Sequence, residues 1–357
     1  MTRVVALILH ARAAPGAGPL TAAFDAIRRR NADRQAEGFR RAGADAAVVV
    51  ADGPPDPGAS CFGSTFGARL RDAARAERAD GIVVLGSGSI PLATATDRRA
   101  FVAVAGGPRD RALANNRYSA DVIAIAGTDR LRALPDLASD NGLPRWLADS
   151  GVAVDDLRSR WRLQVDLDSP LDALLVRPGE ANGIDPSGAA TALVLAALER
   201  VAAVGGDPRA ELVVAGRASA AGLAWLERST RSRTRALIEE RGFRTRPDGQ
   251  RPTRSSLGLL LDRDGPDALG AILAELGDAA FVDSRVLLAH RLGTDESAWP
   301  AAEDRFASDL LLAERIADPW LARLTRAARD AAIPIVLGGH SLVGPGLRLA
   351  LGRGRGG

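Results

Sequence analysis

The densest run of chemically capable residues is Asp166-Leu167-Asp168-Ser169-Pro170-Leu171-Asp172. Leu163 to Leu167 reads as a strand leading into it, and carboxylates two residues apart in a strand leave from the same face. Asp166 and Asp168 are therefore candidate ligands of one divalent cation. Magnesium suits them, because it typically takes one or two protein carboxylates and completes its octahedron with water and phosphate oxygens. The same residues also read without a metal: solvated acids at a strand end, then Ser169 as a helix N-cap, Pro170 in the first position and Asp172 in the first turn.

Two glycine-bearing stretches follow apolar runs. Ile82 to Leu85 is uninterrupted and apolar, as a strand buried on both faces would be, and Gly86, Ser87, Gly88 and Ser89 then turn the chain. A loop of small residues lets a ligand approach the backbone, and in open α/β sheets ligands bind beyond the carboxyl ends of the strands. A tight turn with no ligand is the plainer reading. Near the other end, Gly338, Gly339, His340 and Ser341 open a loop that runs to Gly346, whose amides could face an anion. A turn with a hydrogen-bonded histidine fits equally well, and no acidic residue near His340 and Ser341 marks them as a catalytic pair.

The elements that must hold these residues alternate. Arg3 to His10 reads as a first strand, Leu20 to Arg41 as a long helix, Ala44 to Ala51 as a second strand, and a helix through Phe66, Leu70 and Ala74 leads to the Gly81 strand. This βαβαβ order predicts an α/β fold with a Rossmann-like, mostly parallel sheet. A helix over Arg98 to Val104, a strand at Asp121 to Ala126 and a short helix at Leu143 to Ser150 follow. Periodicity disappears over Arg177 to Ser187, so residues 1–177 read as one domain, 178–187 as a linker and 188–357 as a second α/β domain. The second domain opens with an apolar helix, Gly188 to Val204. Its expected strands are Glu211 to Ala215, Leu257 to Leu261, Ala279 to Asp283 and Ile333 to Leu337.

Residues 1–176 resemble the nucleotide-diphospho-sugar transferase (glycosyltransferase-A-like) superfamily, nearest to nucleotidyltransferases of the 2-phospholactate and molybdenum-cofactor guanylyltransferase type. Phe66-Gly67-Ala68-Arg69-Leu70 with Gly81 to Leu92 is similar to that group's helix and Gly-Ser-Asp-x-Pro-x-Leu strand end. Asn115 and Asn116 stand where an asparagine precedes a strand in the guanylyltransferases, and Asp166 to Asp172 matches their Asp-x-Asp-Thr-Pro-x-Asp motif. The resemblance implies a nucleoside triphosphate, a small phosphorylated acceptor and magnesium, with NMP transferred and pyrophosphate released. Gly86 to Ser89, Asn115 and Asn116 would contact the nucleotide, Asp166 and Asp168 the metal, and Arg12 the phosphates during catalysis. Two departures go with it: the first loop, Ala11 to Leu20, has Arg12 but no lysine, and Ser89 occupies the position of the family's metal-binding aspartate. They leave open a non-catalytic descendant that binds a nucleotide or a partner protein.

Composition narrows the rest. All 47 basic residues are arginine, so no lysine can supply a phosphate-binding ammonium or a Schiff base. Cys61 is alone, which excludes an intrachain disulfide, and His10, His290 and His340 lie far apart in sequence. Arginine is dense over Arg228 to Arg254, but acids are interleaved and the formal charge is only +3, so nucleic acid is not an expected partner. The acids and arginines from Asp283 to Asp309 are expected to form ion pairs. Val4 to Leu9 is too short for a signal-peptide core and no apolar run suggests a bilayer span, which predicts a cytoplasmic protein without a membrane partner.

Overall fold

In the computed structural model, residues 2–51, 65–137, 140–185, 187–242 and 251–352 are described, leaving Cys61 and part of the arginine-rich stretch outside. The chain divides into two units. The first comprises Met1–Pro15 and Asp25–Leu167, the second Gly16–Phe24 and Asp168–Gly357. The division thus falls between Asp166 and Asp168, earlier than the expected boundary at 177. The stretch expected as a linker begins with a 3₁₀ helix, Pro178–Gly183.

The first unit contains β1 (Val4–His10), most of α1 (Pro19–Arg41), β2 (Ala46–Ala51), α2 (Phe66–Ala76), β3 (Gly81–Gly86), α3 (Ala95–Ala105), β4 (Arg111–Ala114), β5 (Val122–Ala126), α4 (Leu143–Asp149) and β6 (Ala153–Asp156). The sheet order is β2-β1-β3-β5-β4-β6. β1 pairs in parallel with β2 and β3, and β4 with β6, while β5 runs antiparallel to both β3 and β4. The sheet is mixed and mostly parallel. Alternation along β1 fills both faces: Val5 and Leu7 pack with Phe66, Leu70, Leu143 and Leu147, whereas Ala6 and Ile8 pack with Ala36, Phe39 and Phe101. Each large aliphatic or aromatic side chain so enclosed contributes roughly 1.5–3 kcal/mol.

The second unit contains α5 (Pro170–Val176), α6 (Ala189–Gly206), β7 (Glu211–Gly216), α7 (Ala220–Ser229), β8 (Arg233–Ile238), α8 (Ser256–Asp264), α9 (Leu269–Leu276), β9 (Ala279–Asp283), α10 (Ser284–Leu292), α11 (Ala302–Asp309), α12 (Pro319–Arg329), β10 (Ile335–Gly338), α13 (His340–Val343) and α14 (Leu347–Gly352). Its four strands are all parallel, in the order β10-β9-β7-β8.

Three expectations about particular segments are corrected. Leu257 to Leu261 is helical, because Ser255 caps α8 by accepting from the Gly258 N–H. Leu163 to Leu167 is not a strand: a 3₁₀ turn covers Trp161–Gln164, and only a single bridge joins Asp166 to Ser89. Side chains take up the backbone there, Asn115 Nδ2 donating to the Leu163 carbonyl and Gln164 Nε2 to the Asn115 carbonyl. Third, α6 is long and apolar enough to cross a membrane by length and composition. Its buried residues Val194, Leu198 and Val201 lie in a helix packed on β7, β9 and β10, as in a core helix.

Candidate functional sites at two sheet edges

In the first unit the strand order reverses between β1 and β3, since β2 lies on one side of β1 and β3 on the other. Such a switch point opens a crevice at the carboxyl ends of its strands. His10 is the last residue of β1, and Ser87 directly follows the last residue of β3. The strand register pairs Leu9 with Gly86, so the two polar residues leave the sheet together. Ser87 Oγ lies 3.1 Å from His10 Nδ1 and accepts from Arg28 Nε at 3.2 Å and Arg28 Nη2 at 3.1 Å. Arg28 Nη2 also donates to the Ala11 carbonyl.

The loop rests on α1. Asn31 Nδ2 donates to the Ser87 and Ser89 carbonyls, and Gln35 Nε2 to the Ser89 and Ile90 carbonyls. Ile90 has φ +44, an expensive conformation for a β-branched residue, and these amides from α1 hold it there. Of the loop amides expected to meet a nucleotide, Ser87 N–H donates to the Leu9 carbonyl and Ser89 N–H to the Gly86 carbonyl. Gly88 is required for close approach: a Cβ there would stand 2.6 Å from the Leu167 carbonyl oxygen and 2.9 Å from Asp166 Oδ1.

Asp166 therefore reaches the loop as a single carboxylate, its Oδ1 also accepting from the Leu167 N–H. The strand face that would have presented Asp166 and Asp168 together does not form. Among the described residues no three His, Cys, Asp or Glu side chains converge as a metal centre. Asn115 is buried and builds structure: it donates to Asp121 Oδ2 and accepts from the Asp121 and Val122 N–H groups. Asn116 makes a local turn by accepting from the Tyr118 N–H. Arg12 is exposed in the loop after β1.

The second unit has its own switch point, between β7 and β9, because β8 flanks β7 on one side and β9 on the other. There Arg217, one residue past β7, grips Asp283, the last residue of β9, from Nε at 2.6 Å and Nη2 at 3.0 Å. Next to it Ser284 Oγ donates to the Gly338 carbonyl, and Arg285 grips Asp309. The ion pairs expected between Asp283 and Asp309 are thus present in part, with Arg217 joining from outside that stretch.

His340 Nδ1 lies 3.2 Å from Asp168 Oδ2, supplying an acidic partner that sequence proximity did not show. Asp168 N–H and Ser169 Oγ both reach Asp172 Oδ2, while Asp172 Oδ1 is buried without a hydrogen-bond partner among the described residues. Burial, then the charges of Asp168 and Asp309, push the Asp172 carboxyl well above the usual carboxylate range. The stretch after Gly339 folds as the short helix α13, with the Gly344 and Gly346 amides both donating to the Ser341 carbonyl. These two amides are already used.

Comparison with protein-family models, with curated proteins and with solved structures finds no match to this chain.

Proposed function

We propose that the first unit binds a nucleoside triphosphate at the β1/β3 edge and transfers its NMP group to a small phosphorylated acceptor, releasing pyrophosphate. One observation carries this reading: at the switch point of an α/β sheet, the short Gly86–Ser89 turn meets the guanidinium of Arg28, which donates to the Ser87 hydroxyl oxygen and the Ala11 carbonyl. A phosphate oxygen would bond this guanidinium more strongly than either of those two neutral acceptors does. Arg12, on the adjoining loop, adds charge from the solvent side. Magnesium, when bound, would offset charge on the transferring phosphate, with Asp166 as the carboxylate at the loop. The nucleotidyltransferase resemblance of residues 1–176 supports the same substrate class.

A second reading is a nucleotide- or partner-binding protein without transfer. Ser89 favours it, since this position holds no carboxylate and its backbone carbonyl is bound by Asn31 and Gln35. Thermal denaturation with each of the four NTPs, with and without magnesium, separates the two. A melting shift for one NTP that grows with magnesium, together with pyrophosphate release on adding phosphorylated acceptors, supports transfer. A shift indifferent to magnesium without release supports binding alone, and no shift with any NTP refutes both nucleotide readings.

A further inference from the structure

The hydrogen-bond directions around Ser87 are determined by its partners. A guanidinium only donates, so the two bonds from Arg28 use the lone pairs of Ser87 Oγ and leave the hydroxyl hydrogen for His10 Nδ1. This assigns the His10 tautomer with its proton on Nε2. That nitrogen faces Asp25 Oδ1 at 3.5 Å, and this oxygen is buried with no hydrogen-bond partner among the described residues. The proton path therefore runs from Ser87 to His10, with Asp25 placed to stabilise the imidazolium. The arrangement is that of a hydroxyl hydrogen-bonded to a base, with a carboxylate close enough to stabilise the protonated base by charge.

A second observation points to a ligand. Gly88 is a buried residue whose N–H makes no hydrogen bond with the described residues, whereas the neighbouring Ser87 and Ser89 amides are both paired. Buried amides are rarely left unused, and the amide following a nucleophile is a common donor to charge developing on the substrate.

We infer that Ser87 is a covalent nucleophile that accepts the NMP group of the nucleotide on Oγ, with His10 as its base and the Asp25 carboxylate stabilising protonated His10 by charge. The inference rests on the nucleotide reading for the identity of its electrophile. In the first step the Oγ–Pα bond forms and the Pα–O bond to pyrophosphate breaks. The electron pair leaves with pyrophosphate, and the hydroxyl proton moves to His10 Nδ1. In the second step an anionic oxygen of the phosphorylated acceptor attacks Pα, the Oγ–Pα bond breaks, and Ser87 recovers its proton from His10. Ser87 is only 1% exposed, and Arg28, bridging Ser87 to the Ala11 carbonyl, covers it. Anionic phosphoryl oxygens would draw that guanidinium from the serine and uncover Oγ in the same movement.

The full chain is incubated with each α-labelled NTP and magnesium, quenched in acid and digested with trypsin. The expected result is one NMP on Ser87 in the peptide 79–98, removed by chasing with pyrophosphate before the quench and absent from Ser87→Ala. The adduct should persist in Thr96→Ala, which removes an exposed hydroxyl of the same peptide, and form about 100-fold more slowly in His10→Gln. A fluorophosphonate probe on the wild-type chain provides an arm independent of nucleotide. If an NTP shifts the melting temperature but neither reagent labels Ser87, the nucleophile is overturned while the binding reading stands. If no NTP shifts it and the fluorophosphonate labels Ser87, the nucleophile stands and the nucleotide reading falls. Absence of both the shift and the label overturns both.

Discussion

Arg285 holds Asp309 through two parallel bonds, Nη1 to Oδ1 at 2.5 Å and Nη2 to Oδ2 at 2.6 Å, with both side chains closed to solvent. Burial alone would lower the guanidinium's pKa, but the adjacent Asp309 carboxylate raises it and keeps Arg285 charged. A buried pair costs heavily when one member is removed, because the other charge is left without compensation. Arg285→Met should lower unfolding free energy by about 3–5 kcal/mol. The double change Arg285→Met with Asp309→Leu should recover most of that loss, as read by urea denaturation. A double variant no better than the single would show that the pair contributes more than charge compensation.

Asp172 gives the second unit a pH signature. Its carboxyl lies well above the usual range in the folded chain, through burial and the nearby Asp168 and Asp309 charges, so the folded state binds a proton that the unfolded state releases near pH 4. The stabilisation is fully present below the unfolded pKa and is lost as pH rises through the folded one. Asp172→Asn retains an acceptor for Ser169 and the Asp168 N–H but cannot ionise. The variant should therefore gain stability relative to wild type as pH climbs from about 4 toward neutrality. A difference in melting temperature that stays constant across that range would rule out the raised carboxyl.

Gly216 shows why the β7/β9 crevice has the shape it has. Its φ is +123, and a Cβ would lie 2.3 Å from the Asp283 Cβ. Gly216→Ala should cost roughly 2 kcal/mol or more through backbone strain and a displaced Asp283. Gly206→Ala is the contrast, because nothing stands within 4 Å of its added methyl and it closes α6, where alanine is favoured by about 0.5–1 kcal/mol. Equal denaturation midpoints for the two variants would contradict this account of Gly216.

The difference between what was and was not legible in the sequence follows from burial. The central strands β1, β3, β7 and β9 are apolar runs and could be placed from the sequence. The peripheral β4 (RALA), β6 (AVDD) and β8 (RTRALI) are short or mixed and carry no period that separates strand from loop. Leu257-Gly258-Leu259-Leu260-Leu261 misled for the opposite reason, since a short apolar run suits either element and only the Ser255 cap distinguishes them. Candidate residues close in sequence separated by role: Asp166 went to the Gly88 loop and Asp168 to His340. The polar pairs at the edges, His10 with Ser87 and Arg217 with Asp283, are made by strand ends adjacent in the sheet and distant in the chain. A usable signal existed in each case, a polar residue at the carboxyl end of an apolar run, but it identifies an edge and not a partner.

That edge geometry also ranks the two arginines of the proposed nucleotide site. Arg12 is exposed, whereas Arg28 is half buried and its guanidinium is fixed by Ser87 and the Ala11 carbonyl. A cation already oriented loses less side-chain freedom on meeting a phosphate, and bonds to charged groups contribute about 1.5–3 kcal/mol. Arg28→Ala should therefore weaken NTP binding by roughly 10- to 100-fold, measured by calorimetry, with Arg12→Ala weakening it several-fold less. Arg28→Lys should fall close to Arg28→Ala, because an ammonium cannot reproduce two bonds from one planar fork. Raising the salt concentration should reduce the Arg12 effect most, since exposed charges are screened more than partly buried ones. If Arg12→Ala is the more damaging change, the phosphates sit over the outer loop, and Arg28 serves only to hold Ser87 in place.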